Sequence, residues 1–148
     1  MIAVDTNLLV YAHRAQTAEH TAAKRAIELA AGNPGGWGIP LQCISEFWAV
    51  VTHPRAAGRP SEPEEAAGFI RALVETGGAA ILEPGSGFAG RLLAAAKSAC
   101  VSGARIFDLQ ISLTALEAGA SELWTHDRHF VSVPGLKIHD PLVRSRRR

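Results

Sequence analysis

Residues 2–12, IAVDTNLLVYA, decide the class of fold. Their first three residues form a short apolar run that ends at Asp5, which is the pattern of a buried β-strand. Thr6 or Asn7 can cap the helix that follows, since both residue types favour helix N-termini. A buried strand that leads directly into a helix is typical of an α/β fold.

The remaining sequence repeats this alternation of strands and helices. It predicts further helices near residues 17–31, 41–52, 63–75, 88–101 and 108–118, and strands near 37–39, 79–82, 122–125 and, more weakly, 137–138. The connections are too short to hold a second domain. We therefore expect one α/β domain over residues 1–143, built on a mainly parallel sheet of four to five strands.

The composition is that of a globular chain, with 148 residues of which 47% are hydrophobic. No apolar run approaches the ~18 residues that a membrane span needs, and the N-terminus lacks the pattern of a secretory signal. We therefore expect a cytoplasmic protein without membrane contact. Cys43 and Cys100 could form one disulfide bridge, although we expect Cys43 to be a core residue.

The charge is unevenly distributed. Residues 144–148, RSRRR, carry four of the 15 basic residues, so the net charge of +1 combines a cationic tail with an acidic body. Such a tail can attract a polyanion through sequence-independent electrostatics, but it is equally typical of a solvated terminus.

Four acidic residues occupy positions where a charge calls for an explanation. Asp5 ends the first strand, Asp127 follows the fourth predicted strand, and Asp108 is placed at the start of a helix. Glu46 interrupts the apolar helix sequence CISEFWAVV, where a buried carboxylate would be unfavourable unless it is paired or bound to a metal. Because ligand sites of open α/β sheets lie beyond the carboxyl ends of the strands, we expect these side chains to converge.

A group of four carboxylates is suited to a hard divalent cation. Two unit charges 4 Å apart repel by roughly 4 kcal/mol at an effective dielectric of 20, so without a cation at least one of the four should take up a proton. Mg²⁺ or Mn²⁺ removes that penalty, activates a water and stabilises negative charge on a phosphate. Taken singly, each residue has an ordinary explanation, because the aspartates can cap helices or turns and Glu46 can pair with an arginine.

Three stretches resemble PIN-domain proteins, and most of all the ribonuclease toxins of VapBC toxin–antitoxin modules. They are VDTNLLVYA, SEFWAVVTHPR and GARIFDLQISLTALEAGASELWTHDRHF, which together extend from position 4 to about 130. The resemblance implies a three-layer α/β/α fold and Mg²⁺- or Mn²⁺-dependent endonucleolytic cleavage of RNA. It also implies a homodimer that binds a small antitoxin protein, and Trp37 and Trp48 are candidates for the dimer contact.

The resemblance also assigns roles to individual residues. Asp5, Glu46, Asp108 and Asp127 become the catalytic, metal-binding carboxylates. Thr6, Asn7 and Thr125 become supporting polar groups that orient ligands or waters, and Arg55 is a candidate RNA contact. One departure is His129, which stands where many relatives have an acidic residue, so a second metal position lacks one of its ligands.

Three other functions are compatible with parts of the sequence. Residues 85–90, GSGFAG, match the glycine pattern of dinucleotide-binding proteins, although Pro84 interrupts the junction and only 58 residues follow Gly90. His126 and His129 flank Asp127, but no helical zinc motif accompanies them. A non-catalytic RNA-binding protein with the same fold is the third alternative, which the presence of all four carboxylates disfavours.

Overall fold

The computed structural model describes residues 1–143, and the arginine tail lies outside the described residues. The chain forms six helices and five strands in the described part. In chain order they are β1 (Ile2–Val4), α1 (Thr6–His13), α2 (His20–Ala31), β2 (Trp37–Pro40), α3 (Leu41–Val51), α4 (Pro63–Glu75), β3 (Ala80–Leu82), α5 (Phe88–Ser98), α6 (Arg105–Glu117), β4 (Glu122–Trp124) and β5 (Lys137–His139).

The five strands form one parallel sheet in the order β3-β2-β1-β4-β5. Every residue of β2 is buried, as expected of a parallel strand covered by helices on both faces. The predicted α/β/α fold with a parallel sheet is confirmed. Within residues 1–143, the helices are all too short or too polar to cross a membrane.

The strand order reverses between β1 and β4. After β1 the chain builds the sheet outward through β2 and β3, and it then returns to place β4 and β5 on the opposite side of β1. The register pairs Val4 with Trp124, so the two strands end at the same level. Open α/β sheets bind ligands in the crevice at such a switch point.

Several predicted boundaries were wrong by a few residues. Helix α4 was predicted correctly, but α2 begins at His20 instead of residue 17, and α5 ends at Ser98. Helix α6 begins at Arg105 instead of Asp108, because Gly103 and Ala104 form the turn that starts it: their carbonyls accept the N–H groups of Ile106 and Phe107.

Two side-chain predictions are corrected as well, and the prediction of Cys43 as a core residue is confirmed. Helix α1 is capped by Asp5, whose side chain accepts the N–H of Thr6, because Asp5 is the last residue in extended conformation before the helix. The two cysteines are free, Cys43 in the core and Cys100 at the surface. Trp37 is only 3% exposed and donates its indole N–H to the Gly77 carbonyl, so it is a core residue and not a dimer contact.

Candidate active site

Four carboxylates from four different segments line one cavity of about 310 Å³ at the switch point. Asp5 follows β1, Glu46 lies on α3, Asp108 lies in the first turn of α6, and Asp127 follows β4. The structure thus brings together the four side chains that the sequence placed at strand ends and helix faces.

Asp5 is the most enclosed of the four, with 5% exposure. Its Oδ1 accepts the Thr6 N–H at 2.7 Å, and its Oδ2 accepts the Thr125 hydroxyl at 2.7 Å and the Asn7 amide at 3.3 Å. Burial raises the pKa of Asp5 to about 6 against the lowering effect of these hydrogen bonds, and the negative charges of Glu46 and Asp108 raise it further. At neutral pH the carboxylate therefore carries an unfavourable charge that a cation would relieve.

Glu46 and Asp108 occupy more open positions. Glu46 is half-buried and accepts the Thr6 hydroxyl at 2.8 Å, so its environment is less apolar than the sequence suggested. Desolvation raises the pKa of Asp108, and the charge of Asp127 adds to the effect, while the Val131 N–H at 3.4 Å acts in the opposite direction. The carboxyl pKa values of Asp5 and Asp108 are thus both raised by burial and by neighbouring negative charges.

Asp127 lies on an exposed turn after β4. Its Oδ1 accepts the His129 N–H at 2.8 Å, and its own N–H donates to the Thr125 hydroxyl oxygen at 3.1 Å. The turn is closed by the Phe130 N–H, which donates to the Asp127 carbonyl at 3.3 Å. Asp127 therefore owes its position to local hydrogen bonds rather than to burial.

Asn7 and Thr125 connect these carboxylates. The Asn7 amide donates to the Thr125 hydroxyl oxygen at 2.9 Å, and its carbonyl oxygen accepts the His126 N–H at 3.1 Å. The Thr125 hydroxyl gives its one proton to Asp5 while it accepts the other two bonds, which matches the capacity of a hydroxyl. The network fixes the loop after β4 against the start of α1.

One predicted contributor does not line the cavity. Arg55 is exposed in the loop after α3, where its backbone N–H donates to His53 Nδ1 at 2.9 Å, and its side chain does not line the cavity. The arginine tail lies outside the described residues.

Two features of the site were not predicted from the sequence. Five apolar side chains line the same cavity: Val10, Tyr11, Val50, Ile111 and Phe130. In addition, Asp140 pairs with His126 Nδ1 at 2.8 Å. The apolar residues have a detectable sequence signal, because each follows a polar residue of the cavity by three or four positions.

The dinucleotide-binding alternative conflicts with the fold. Such a protein needs a second strand after the helix that follows the glycines, but residues 105–107, the short segment available for it, form the first turn of α6. Within residues 1–143, β3 before the glycine motif is an edge strand paired only with β2. Gly87, at φ +74°, is the N-cap of α5, so the glycines serve a tight turn.

The PIN domain family matches residues 2–136. The chain belongs to the PIN-domain family. Its similarity to VapC ribonucleases extends over 142 residues and 96% of both chains, at 32% identity to relatives from Mycobacterium bovis and Mycobacterium tuberculosis, the latter being VapC43. VapC48 of Mycobacterium tuberculosis is 26% identical over 93% of this chain and 94% of its own.

Solved structures show the same fold. The toxin VapC20 of Mycobacterium tuberculosis, described as cleaving the sarcin-ricin loop, superposes with a TM-score of 0.65 at 16% identity over 88% of this PIN-domain chain and 92% of its own. VapBC2 of Rickettsia felis, solved with a promoter DNA fragment, gives 0.64 at 20% identity over 94% and 98%. The resemblance inferred from the three sequence stretches is confirmed, and the PIN-domain protein is a nuclease of the hydrolase class.

Proposed function

We propose that the protein is a divalent-metal-dependent endoribonuclease and the toxin of a type II toxin–antitoxin module. One observation carries this proposal: four carboxylates from separate segments line a single cavity at the switch point of a PIN-domain sheet. The names of the similar VapC ribonucleases support RNA as the substrate.

The donor set fits Mg²⁺ or Mn²⁺. All four charged groups are hard oxygen ligands, and the raised pKa of Asp5 reflects a carboxylate that lacks a compensating charge. Within residues 1–143, no three acidic, histidine or cysteine side chains are already close enough to enclose a metal. Mg²⁺ commonly binds through one or two carboxylates and keeps several waters, so a loosely spaced set of oxygens suits it.

The chain's own residues would prepare the site for the cation. Asp5, Glu46, Asp108 and Asp127 would hold it, and a bound divalent ion supplies positive charge beside the phosphate and activation of the attacking water. Thr125 and Asn7 keep Asp5 oriented through bonds of 2.7 and 3.3 Å. The Thr6 hydroxyl orients Glu46 across the cavity at 2.8 Å.

A protein partner and a homodimer belong to the same proposal. Leu41 and Trp48 on α3 are 42% and 41% exposed, and Trp48 borders an apolar groove shared with α4. Solvent-exposed apolar residues clustered on one helix favour a protein contact. We expect light scattering to give a dimer at micromolar concentration and the cognate antitoxin to co-purify, whereas a monomer without a partner would contradict this part.

The nuclease function is tested by cleavage of a mixed RNA sample. Asp108→Asn and Glu46→Gln each remove one charge with little change of size, and we expect cleavage to fall by about 100-fold or more, since even residues that only support metal ligands are worth roughly 10–100-fold. Activity should depend on added Mg²⁺ or Mn²⁺ and disappear with EDTA.

Glu83→Gln is the matched control, because Glu83 is exposed after β3 and does not line the cavity. It should cleave at the wild-type rate. Near wild-type cleavage by Asp108→Asn would show that the site is wrongly assigned. A wild type that binds RNA but never cleaves it would favour the non-catalytic alternative.

A further inference from the structure

The cavity has two tiers that follow one spacing rule. Of the six polar residues that line it, all except Asp5 are followed three or four positions later by an apolar residue lining the same cavity. The pairs are Thr6 and Val10, Asn7 and Tyr11, Glu46 and Val50, Asp108 and Ile111, and Asp127 and Phe130. We call the five apolar members the apolar tier, and their five partners together with Asp5 the polar tier.

The spacing fixes the separation of the tiers. Four of the pairs lie on helices α1, α3 and α6, where residues three or four apart share a face and are displaced by about one turn, ~5.4 Å. In the fifth pair the turn is closed by the bond from the Phe130 N–H to the Asp127 carbonyl at 3.3 Å. The apolar tier therefore lies about one helical turn beyond the polar groups.

The apolar tier is accessible and held in place. Val50 is 48% exposed, and Tyr11 and Phe130 are half-buried, so all three present surface to a ligand. The Tyr11 ring packs edge-on against His126, with ring centroids 6.2 Å apart, and Asp140 holds that imidazole at 2.8 Å. The polar tier is sufficient to hold a cation and a phosphate. The apolar tier therefore offers a binding surface for another, less polar part of the ligand.

We propose that the apolar tier binds an unpaired nucleobase of the RNA next to the phosphodiester cleaved at the polar tier; this rests on the proposed function. A nucleotide carries an anionic phosphate and a flat, weakly polar base within a short distance of each other, which matches the two tiers. Bases that are paired inside an A-form helix cannot reach the apolar tier, whereas unpaired bases stack on aromatic side chains. The base would then lie against Tyr11, Val50 and Phe130, about one helical turn from the carboxylates.

The test is a double-mutant cycle between protein and RNA. Short single-stranded RNA oligonucleotides of mixed sequence are screened with Mn²⁺ for one that the wild type cleaves. The base on either side of the cleaved bond is then replaced by an abasic ribose. We expect one abasic position to lower kcat/KM on the order of tenfold, as loss of a stacked base does, and Phe130→Leu to lower it similarly on the intact oligonucleotide.

The two changes combined should lower kcat/KM no further than either change alone, because both remove the same contact. Phe107→Leu is the matched control: Phe107 is an aromatic residue of α6, 56% exposed, that does not line the cavity, so this variant should keep wild-type cleavage and the full abasic effect. If circular dichroism shows that Phe130→Leu is unfolded, the same cycle is measured with Tyr11→Leu.

Two failures are distinguishable. If the wild type cleaves no RNA at all, the proposed function is refuted. If the wild type cleaves RNA, but the effects of the abasic position and of Phe130→Leu are absent or simply additive, only the nucleobase site is refuted. Loss of antitoxin binding in Phe130→Leu without any change in cleavage would assign the tier to a protein partner and overturn the inference.

Discussion

Asp5 serves two structural purposes that conflict at neutral pH. As the cap of α1 it accepts the Thr6 N–H, and as the carboxylate at the end of β1 it is buried beside other negative groups. A neutral side chain would satisfy the first purpose equally well, since asparagine is as good an N-cap as aspartate. The charge at this position is therefore unfavourable for folding in the absence of a cation.

We predict that the metal-free protein loses stability as the pH rises. The pKa of Asp5 is about 6 in the folded protein against an ordinary value of 3.8, so the folded state binds the proton more tightly and stability declines between these two values. At ~1.4 kcal/mol per pKa unit the loss is about 3 kcal/mol. Urea denaturation in EDTA at several pH values measures it.

Asp5→Asn is the control for this prediction, because asparagine keeps the cap and has no proton to release. Glu65, Glu117 and Glu122 have lowered pKa values and act in the opposite sense, but they are common to both proteins and cancel in the difference. A difference in unfolding free energy between wild type and Asp5→Asn that does not change from about pH 4 to pH 7 would contradict the pKa of Asp5.

At the residue scale, the sequence predicted which carboxylates line the cavity but not which of them is buried. Asp5 and Asp127 could be placed because parallel strands end at one edge of a sheet. Glu46 was expected to be buried because its helix is rich in apolar residues. The structure divides those residues between a buried face with Cys43 and Phe47 and an exposed face with Trp48, a division that depends on tertiary packing.

At the scale of elements, β3 leaves no room for a side chain at Gly38 of β2. A Cβ atom at this position would lie 2.7 Å from Leu82 Cδ2 and 2.8 Å from the Ala80 carbonyl oxygen. Gly38 is also paired in register with Ala80, so the backbone cannot move away without breaking the ladder. The contact between these strands therefore requires glycine.

We predict that Gly38→Ala destabilises the protein by about 1–3 kcal/mol, as overpacking of a well-filled interior does. Gly68→Ala is the matched control: Gly68 lies within α4 and a Cβ there meets nothing within 4 Å, so the higher helix propensity of alanine should stabilise by up to about 1 kcal/mol. Urea midpoints measure both, and equal effects of the two substitutions would refute the packing argument.

Element type was easier to predict than element ends. Apolar periodicity located all the helices and strands, because it follows from which face is buried. The start of α6 was missed because Ile106 and Phe107 resemble a strand and Asp108 resembles a cap. The turn at Gly103 that starts the helix carries no comparable signal, since Ala104 has no capping side chain.

At the scale of the whole molecule, the site exists because of strand order. The sequence indicated a parallel sheet, but no local pattern in it predicts the strand order β3-β2-β1-β4-β5. That order depends on how the connecting helices pack against the faces of the sheet. That order places β1 beside β4 and so brings Asp5 near Asp127, 122 positions later in the chain. The carboxylates come close together only in the folded state, so cation binding and folding should be linked.

We predict that Mg²⁺ or Mn²⁺ raises the melting temperature. The unfolded chain lacks the assembled carboxylates, so at a metal concentration ten times the dissociation constant the cation should stabilise the fold by roughly 1.4 kcal/mol. For a domain of this size the shift is about 3–6 °C. Thermal melts in EDTA and in increasing Mn²⁺ measure it, and Ca²⁺ should stabilise yet support cleavage poorly, because it prefers more ligands at longer distances.

The double variant Asp5→Asn with Asp108→Asn separates metal binding from general salt effects. It removes two negative charges, one buried and one half-buried, whose carboxyl pKa values are raised, so its metal-free form should melt higher than the metal-free wild type. The same loss of ligands should nearly abolish its response to Mn²⁺. Because the two effects have opposite signs, a variant that is merely damaged cannot produce both. An unchanged wild-type melting temperature at saturating metal would refute the metal site.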